Sequence, residues 1–274
     1  MLLHIILLAA LLGAAVLTAC LGGFAGAAFL WQLPVFFLGF FLALLLLAFL
    51  FLFACCATVN LKKPQEKDSP FFRQMLYLYA ALAASLLQVK FQSKGFDKIP
   101  KSGRFLVVCN HLGYFDPIAL HLHFRKNQLA FISKKENGAM FMINKLMHKT
   151  LCMPIDREND RAALRTILRT IRLLKVDTAS VAVFPEGYTS LDGKLHEFRN
   201  GVFKIALKAN VPIVACTIQN SQYVFHNALR LRRTVVPMEL MAVLPPEALQ
   251  GKNTIEIGQI VHDLMAKNLE TAGN

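Results

Sequence analysis

The sequence predicts an α/β fold: a mixed, mostly parallel sheet flanked by helices, preceded by an N-terminal hydrophobic two-helix membrane segment. Two observations predict it. Residues 1–61 contain no Lys, Arg, Asp or Glu, so all 30 basic and all 17 acidic residues of the 274-residue chain lie behind them. Past residue 100, short apolar runs alternate with stretches of helical period, the pattern of strands joined through helices.

Within the uncharged stretch, residues 1–21 and 34–57 are each long enough to cross a bilayer, because about 20 apolar residues span its hydrocarbon core. Gly22-Gly23-Phe24-Ala25-Gly26 and Pro34 break the helix between them, and Trp31 suits an interface. A spanning two-helix hairpin is the favoured arrangement, with a shallow re-entrant hairpin as its rival. Leu17-Thr18-Ala19-Cys20 loosely resembles a lipoprotein cleavage box, but no positively charged region precedes it. Lys62, Lys63 and Lys67 follow at once, which by the positive-inside tendency puts the rest of the chain in the cytoplasm. The expected division is a membrane-anchoring hairpin, residues 1–61, and a cytoplasmic domain at the cell membrane, residues 62–274.

Residues 62–70 form a polar, proline-bounded linker. Residues 71–91 are strongly apolar and read as a helix, either on the membrane or packed in the domain. Strands are expected at 105–109, 129–133, 151–156, 180–184, 211–218 and about 235–243. Helices are expected at 117–124, 139–149, 160–175, 201–209 and 255–268. The six cysteines show no metal-ligand spacing and read as small buried hydrophobes, so no metal site is expected.

Four groups of residues carry chemical potential. Asn110-His111-Leu112-Gly113-Tyr114-Phe115-Asp116 follows the apolar run 105–109. A histidine can accept a proton near neutral pH when a carboxylate fixes its tautomer, and Asp116 is placed to do so for His111. A loop histidine beside a helix-capping aspartate would have the same spacing. Phe184-Pro185-Glu186-Gly187 follows another strand, at the edge where α/β sheets bind ligands, though an ordinary turn reads the same way. Arg157 stands just past a strand, where it can grip a phosphate or pair with Asp156 or Glu158.

The fourth group is the row Arg157, Arg161, Arg165, Arg169 and Arg172 along one expected helix. Its apolar face, Leu164, Ile167, Leu168, Ile171 and Leu174, should dock on the sheet. The arginines then form either a solvated face or a contact for anionic headgroups, a coenzyme A phosphate or an acidic carrier protein. The net charge of +13 fits an anionic partner. Nucleic acid is set aside: the hydrophobic N-terminus argues against it, and the chain has no helix-turn-helix, zinc or RNP-type signature. It also lacks a P-loop, a dinucleotide glycine fingerprint and a Gly-x-Ser-x-Gly elbow. Without a serine or cysteine nucleophile near His111, direct transfer is favoured over an acyl-enzyme.

These blocks resemble the glycerolipid acyltransferase family, and within it the bacterial 1-acyl-glycerol-3-phosphate (lysophosphatidate) acyltransferases. Asn110-His111 with Asp116 is similar to the NHxxxxD motif. Ser133-Lys134-Lys135-Glu136 leading to Pro154-Ile155-Asp156-Arg157 resembles the second block, and Phe184-Pro185-Glu186-Gly187 the third, FPEG. Residues 193–201, with Arg199 in place of Lys, resemble the connecting GxLxxFKxG, and Val211-Pro212-Ile213-Val214 the fourth block. The resemblance covers roughly residues 90–220. Where the family pattern continues Thr-Arg-Ser, this chain has Tyr188-Thr189-Ser190, so an arginine thought to help hold the acceptor phosphate is missing.

The resemblance implies acyl transfer to the free hydroxyl of lysophosphatidate, a membrane lipid, from acyl-CoA or acyl carrier protein, at the surface of a phospholipid bilayer. It implies His111 as general base and Asp116 as its partner, with backbone amides at the start of the following helix for the oxyanion. Arg157 would bind the acceptor phosphate, with Arg199 and Lys134 as further candidates, and Glu186 and Gly187 would shape the acceptor pocket. No metal or bound cofactor is implied. Other acceptors stay open: glycerol 3-phosphate, another lysophospholipid or a lyso-aminolipid. So does a membrane-anchored lipid-binding protein without catalysis.

Overall fold

A computed structural model describes residues 1–156, 158–190 and 192–272. The N-terminal hairpin is α1 (Leu2–Cys20) and α2 (Phe29–Ala57), packed on one another. Gly22 turns the chain between them at φ 68, in the left-handed region that glycine enters without a steric penalty. Ala10 and Ala14 are fully buried, so small side chains let the helices approach closely. Both helices are long and apolar enough to cross a bilayer. Their outer surfaces carry exposed Leu8, Leu12, Val16, Leu38, Leu46 and Phe51.

The next helix, α3 (Pro70–Leu86), packs on the domain, burying Phe72, Tyr77, Ala80, Leu82 and Ala84. Arg73 is buried with them. Its guanidinium donates to Asp68 at 2.7 Å and to the carbonyls of Leu129 and Thr150, which ties the linker to the domain. The helix expected to reach residue 91 stops at Leu86. Gln88 turns back at φ 54, and Val89–Lys94 is a strand, β1.

The remaining strands are β2 (Leu106–Cys109), β3 (Ala130–Lys134), β4 (Met153–Ile155), β5 (Val181–Val183), β6 (Ile213–Ile218) and β7 (Thr234–Leu244). Their order is β1-β7-β6-β2-β5-β3-β4, with the β6–β7 pair antiparallel and the other five pairs parallel. The helices of the domain are α4 (Asp116–His123), α5 (Phe141–Lys149), α6 (Asp160–Lys175), α7 (Lys204–Ala209), α8 (Val224–Leu229), α9 (Pro246–Leu249) and α10 (Thr254–Ala272). α3, α4 and α5 cluster together, as do α6 and α7, with α10 against β6. By the right-handed rule for crossovers between parallel strands, this order places α4 and α5 on the face opposite α6 and α7. With both faces covered, β2, β5 and β6 are buried at every position, which is why they read as continuous apolar runs.

One packing expectation is corrected. α6 docks mainly through its C-terminal half, where Leu173 and Leu174 are buried, with Ile167 and Ile171 partly so. Leu164 and Leu168, expected on the sheet, are each 56% exposed, and Arg161, Arg165, Arg169 and Arg172 are exposed beside them.

Candidate active site

β2 lies between β6 and β5, so the loop after β2 meets the loop after β5 at the carboxyl edge of the sheet. Asn110 continues the β2–β6 pairing with its side chain. Its amide donates to the Ile218 carbonyl at 2.9 Å and its oxygen accepts the Ile218 N–H at 2.9 Å. That clamp fixes where the chain leaves the sheet, and His111 is the next residue.

His111 Nδ1 lies 2.7 Å from Asp116 Oδ2. The same oxygen accepts the N–H groups of Leu112 at 2.6 Å and Gly113 at 2.9 Å. Three donors thus converge on one oxygen of a fully buried side chain. A carboxylate only accepts, so Nδ1 carries the proton and Nε2 presents a lone pair. The imidazole stacks on Phe184 from β5's loop, with ring centroids 4.1 Å apart, and its side chain remains 18% exposed. The result is an imidazole held on two sides and still partly open to solvent.

Glu186 is the centre of a second buried network. Its Oε1 accepts the backbone N–H of His111 at 2.9 Å. Its Oε2 accepts the Ser190 hydroxyl at 2.6 Å and the His196 N–H at 3.0 Å. Ser190 N–H returns to the His111 carbonyl at 2.7 Å, and Arg199 N–H bonds the Pro185 carbonyl at 2.8 Å. Glu186 is 1% exposed, with both oxygens occupied by protein donors. What it touches is the His111 backbone, Ser190 and His196 rather than open space. Gly187 turns this loop at φ 82 and is buried.

The cations are arranged differently. Lys134 ends β3 and Arg199 directly precedes the turn at Asn200; both side chains are exposed. Lys135, next to Lys134, bridges Asp156 at 3.1 Å and Glu158 at 3.2 Å. Arg157, the foremost candidate for the acceptor phosphate, lies outside the described residues. The oxyanion donors expected at the start of α4 are mostly engaged: Leu112 and Gly113 amides serve Asp116, Asp116 N–H serves Gly113, and Pro117 has none. Cys109 lies one residue before Asn110, and burial pushes its thiol well above the ordinary cysteine range, aided by Cys216 and the charges of Asp116 and Glu186. A thiol so held is not a nucleophile. Among the described residues no cluster of His, Cys, Asp and Glu has the makings of a metal site.

Sequence patterns pointed to His111, Asp116 and Glu186, but not to Phe184 as a stacking platform; its place directly after an apolar strand was the available signal.

The class these features define is an α/β fold with an apolar helical hairpin and its polar site at the carboxyl edge. The crystal structure of the 1-acyl-sn-glycerophosphate (LPA) acyltransferase PlsC from Thermotoga maritima shares the fold, with a TM-score of 0.60 at 24% identity over 73% of this chain and 79% of that one. The acyltransferase family model matches residues 90–219. A probable 1-acyl-sn-glycerol-3-phosphate acyltransferase of Mycoplasma pneumoniae is 32% identical over 184 residues, covering 65% of this chain and 67% of that one. Another, from Mycoplasma genitalium, is 36% identical over 131 residues, 46% of this chain and 47% of its own. The chain thus spans from about half to two thirds of these relatives' length. It belongs to the acyltransferase family of enzymes.

Proposed function

We propose that the protein is a 1-acyl-sn-glycerol-3-phosphate O-acyltransferase, moving an acyl group from acyl-CoA or acyl carrier protein to the free hydroxyl of lysophosphatidate to form phosphatidate. The observation that carries this reading is the His111–Asp116 pair, which leaves Nε2 as a proton acceptor at the exposed edge of the ring. Nε2 takes the proton of the acceptor hydroxyl as its oxygen adds to the thioester carbonyl. The tetrahedral oxyanion then collapses, the C–S bond breaks, and the departing thiolate takes the proton from the imidazolium. Asp116 stabilises the cation between these steps. Such a base supplies about 10² to 10⁴-fold of the rate. Direct transfer is supported by the state of the nearby nucleophiles: the Cys109 thiol is buried and the Ser190 hydroxyl is donated to Glu186. The reaction so written uses no bound cofactor or metal.

Arg157, Arg199 and Lys134 are our candidates for the acceptor phosphate. A second reading, transfer to a different acceptor, has one observation in its favour: Thr189 stands where the family's phosphate-holding arginine is expected. The test is thioester release by the full chain with lysophosphatidate, glycerol 3-phosphate, other lysophospholipids and a lyso-aminolipid. Lysophosphatidate is expected to give the highest turnover, and His111→Ala to lower kcat by about 100-fold or more while staying membrane-bound. Near-normal turnover by that variant sinks the mechanism. A better acceptor than lysophosphatidate moves the assignment to the second reading.

A further inference from the structure

The β6–β7 connection, residues 219–233, carries an apolar and basic surface that catalysis leaves unexplained. Leu229 and Leu231 are 87% and 82% exposed, and Tyr223 and Phe225 stand out beside them. Arg230, Arg232 and Arg233 are exposed between and after the leucines. No Asp or Glu occurs from Phe198 to Met238, so no neighbour in sequence neutralises these guanidinium groups. The turn is held by its backbone: Leu231 N–H bonds Ala228 O at 3.0 Å, Arg232 N–H bonds Asn227 O at 2.9 Å, and Leu231 sits at φ 54. Main-chain bonds alone thus hold a leucine in the left-handed region with its side chain in solvent.

The position of this surface says what covers it. It follows the carboxyl end of β6, and Gly113 packs on Gln222 so closely that a Cβ there would lie 3.2 Å from the Gln222 Cα. Tyr114, next in the His111 loop, is 82% exposed. The hairpin meets the domain at the same edge. Phe53 of α2 packs on Phe141, the first residue of α5 after β3, with ring centroids 5.1 Å apart. Lys145, one turn further along α5, bonds the Val59 carbonyl, so α2 descends past α5 and its earlier turns lie beyond the carboxyl edge. β2, which presents His111, lies between β6 and β3 in the sheet.

We propose that residues 223–233, with Tyr114, form a second membrane contact. Leu229 and Leu231 enter the headgroup boundary of an anionic bilayer, and Arg230, Arg232 and Arg233 pair with lipid phosphates. The chain then rests on the bilayer at two points with His111 between them. Each arginine near an anionic surface contributes about a fivefold gain in partitioning. Exposure and charge place this contact whichever acyl acceptor is used.

Trp31, in the hairpin, is the single tryptophan, so an indole moved to the new surface is readable alone. The full chain carrying Trp31→Phe and Leu229→Trp is reconstituted into phosphatidylglycerol–phosphatidylcholine vesicles whose acyl chains are brominated near the headgroup. Quenching of at least half the emission is expected, weaker in vesicles of phosphatidylcholine alone, and lost when R230E, R232E and R233E are added. Tyr223→Trp in the same Trp31→Phe background serves as a second probe should Leu229→Trp not fold. Native Trp31 in the otherwise unaltered chain reports the hairpin. Quenched Trp31 with an unquenched, water-like indole at both probe positions overturns the proposal. Equal quenching with and without the three arginines overturns its electrostatic half.

Discussion

Two buried carboxylates stand within the site, and they do different things because of what they touch. Asp116 spends one oxygen on the imidazole and two amides of its own loop, so it is coupled directly to the His111 ring. Glu186 contacts backbone amides and a hydroxyl, so the part we propose for it is to hold the His111 backbone in place. The distinction is measurable with Glu186→Gln. The amide keeps one acceptor but turns an N–H₂ toward a donor, leaving a buried group unsatisfied at a cost of about 1–3 kcal/mol. We expect a lower melting temperature and a fall in kcat of up to about 100-fold, since a displaced base loses alignment, while KM for the acceptor stays nearly unchanged. A raised acceptor KM with kcat preserved would instead return Glu186 to the substrate pocket. No pattern of side chains in the sequence records partners that are backbone amides, which is why the FPEG block was legible and the contacts of its glutamate were not.

At the level of elements, the seam between α3 and α4 is where we expect sensitivity to acid. His121 is 6% exposed, packed edge-on to Phe131 with centroids 4.8 Å apart and near the Tyr77 ring. Burial, and then the charge of Arg73, lower its pKa to about 3. Arg125, which like Arg73 lies over the Tyr77 ring, is a further cation facing the seam. The unfolded chain takes up this proton below about pH 6.5 while the folded chain does not, so stability present above that pH is lost on acidification, by up to about 1.4 kcal/mol per unit toward pH 3. His123, whose pKa burial also lowers, adds in the same direction. His121→Leu should lose less melting temperature between pH 7.5 and pH 5 than the parent chain in the same detergent; an equal loss would place the acid sensitivity elsewhere. Legibility at this scale followed burial. β2, β5 and β6 were readable as unbroken apolar runs because both faces of the sheet are covered. β1 was not, since Val89 and Phe91 alternate with Lys90 and Gln92 directly behind a helix, with no Gly or Pro to mark the break. The period of α6 gave its apolar face, but only tertiary contact decides that its second half docks and leaves Leu164 and Leu168 out.

For the whole molecule, the reach of the hairpin decides how it meets the bilayer. α1 has 19 residues, about 28 Å at 1.5 Å each. α2 has 29, but its final turns are used against the domain, where Tyr79 of α3 bonds the Ala48 carbonyl and Phe53 meets Phe141. Some 19 residues of α2 remain before Ala48, again about 28 Å, and Pro34 lies among them. The first turns of α1 also lie near the domain, since α1 packs on α3 as well as on α2. A bilayer is about 30 Å thick in its hydrocarbon alone and about 40–45 Å with its headgroups. The hairpin therefore falls short of the far surface if the carboxyl edge of the domain rests on the near one, and the shallow re-entrant arrangement is the one we expect over two full spans. Cys20 reports on this directly. It ends α1 at the hairpin tip and is the exposed one among the six cysteines, the others being buried or partly so. A membrane-impermeant maleimide added outside intact cells should leave Cys20 unmodified and should react once detergent opens the bilayer. Labelling from outside at the rate seen in detergent would establish a spanning hairpin, and the site would then lie farther from the bilayer than two-point seating allows.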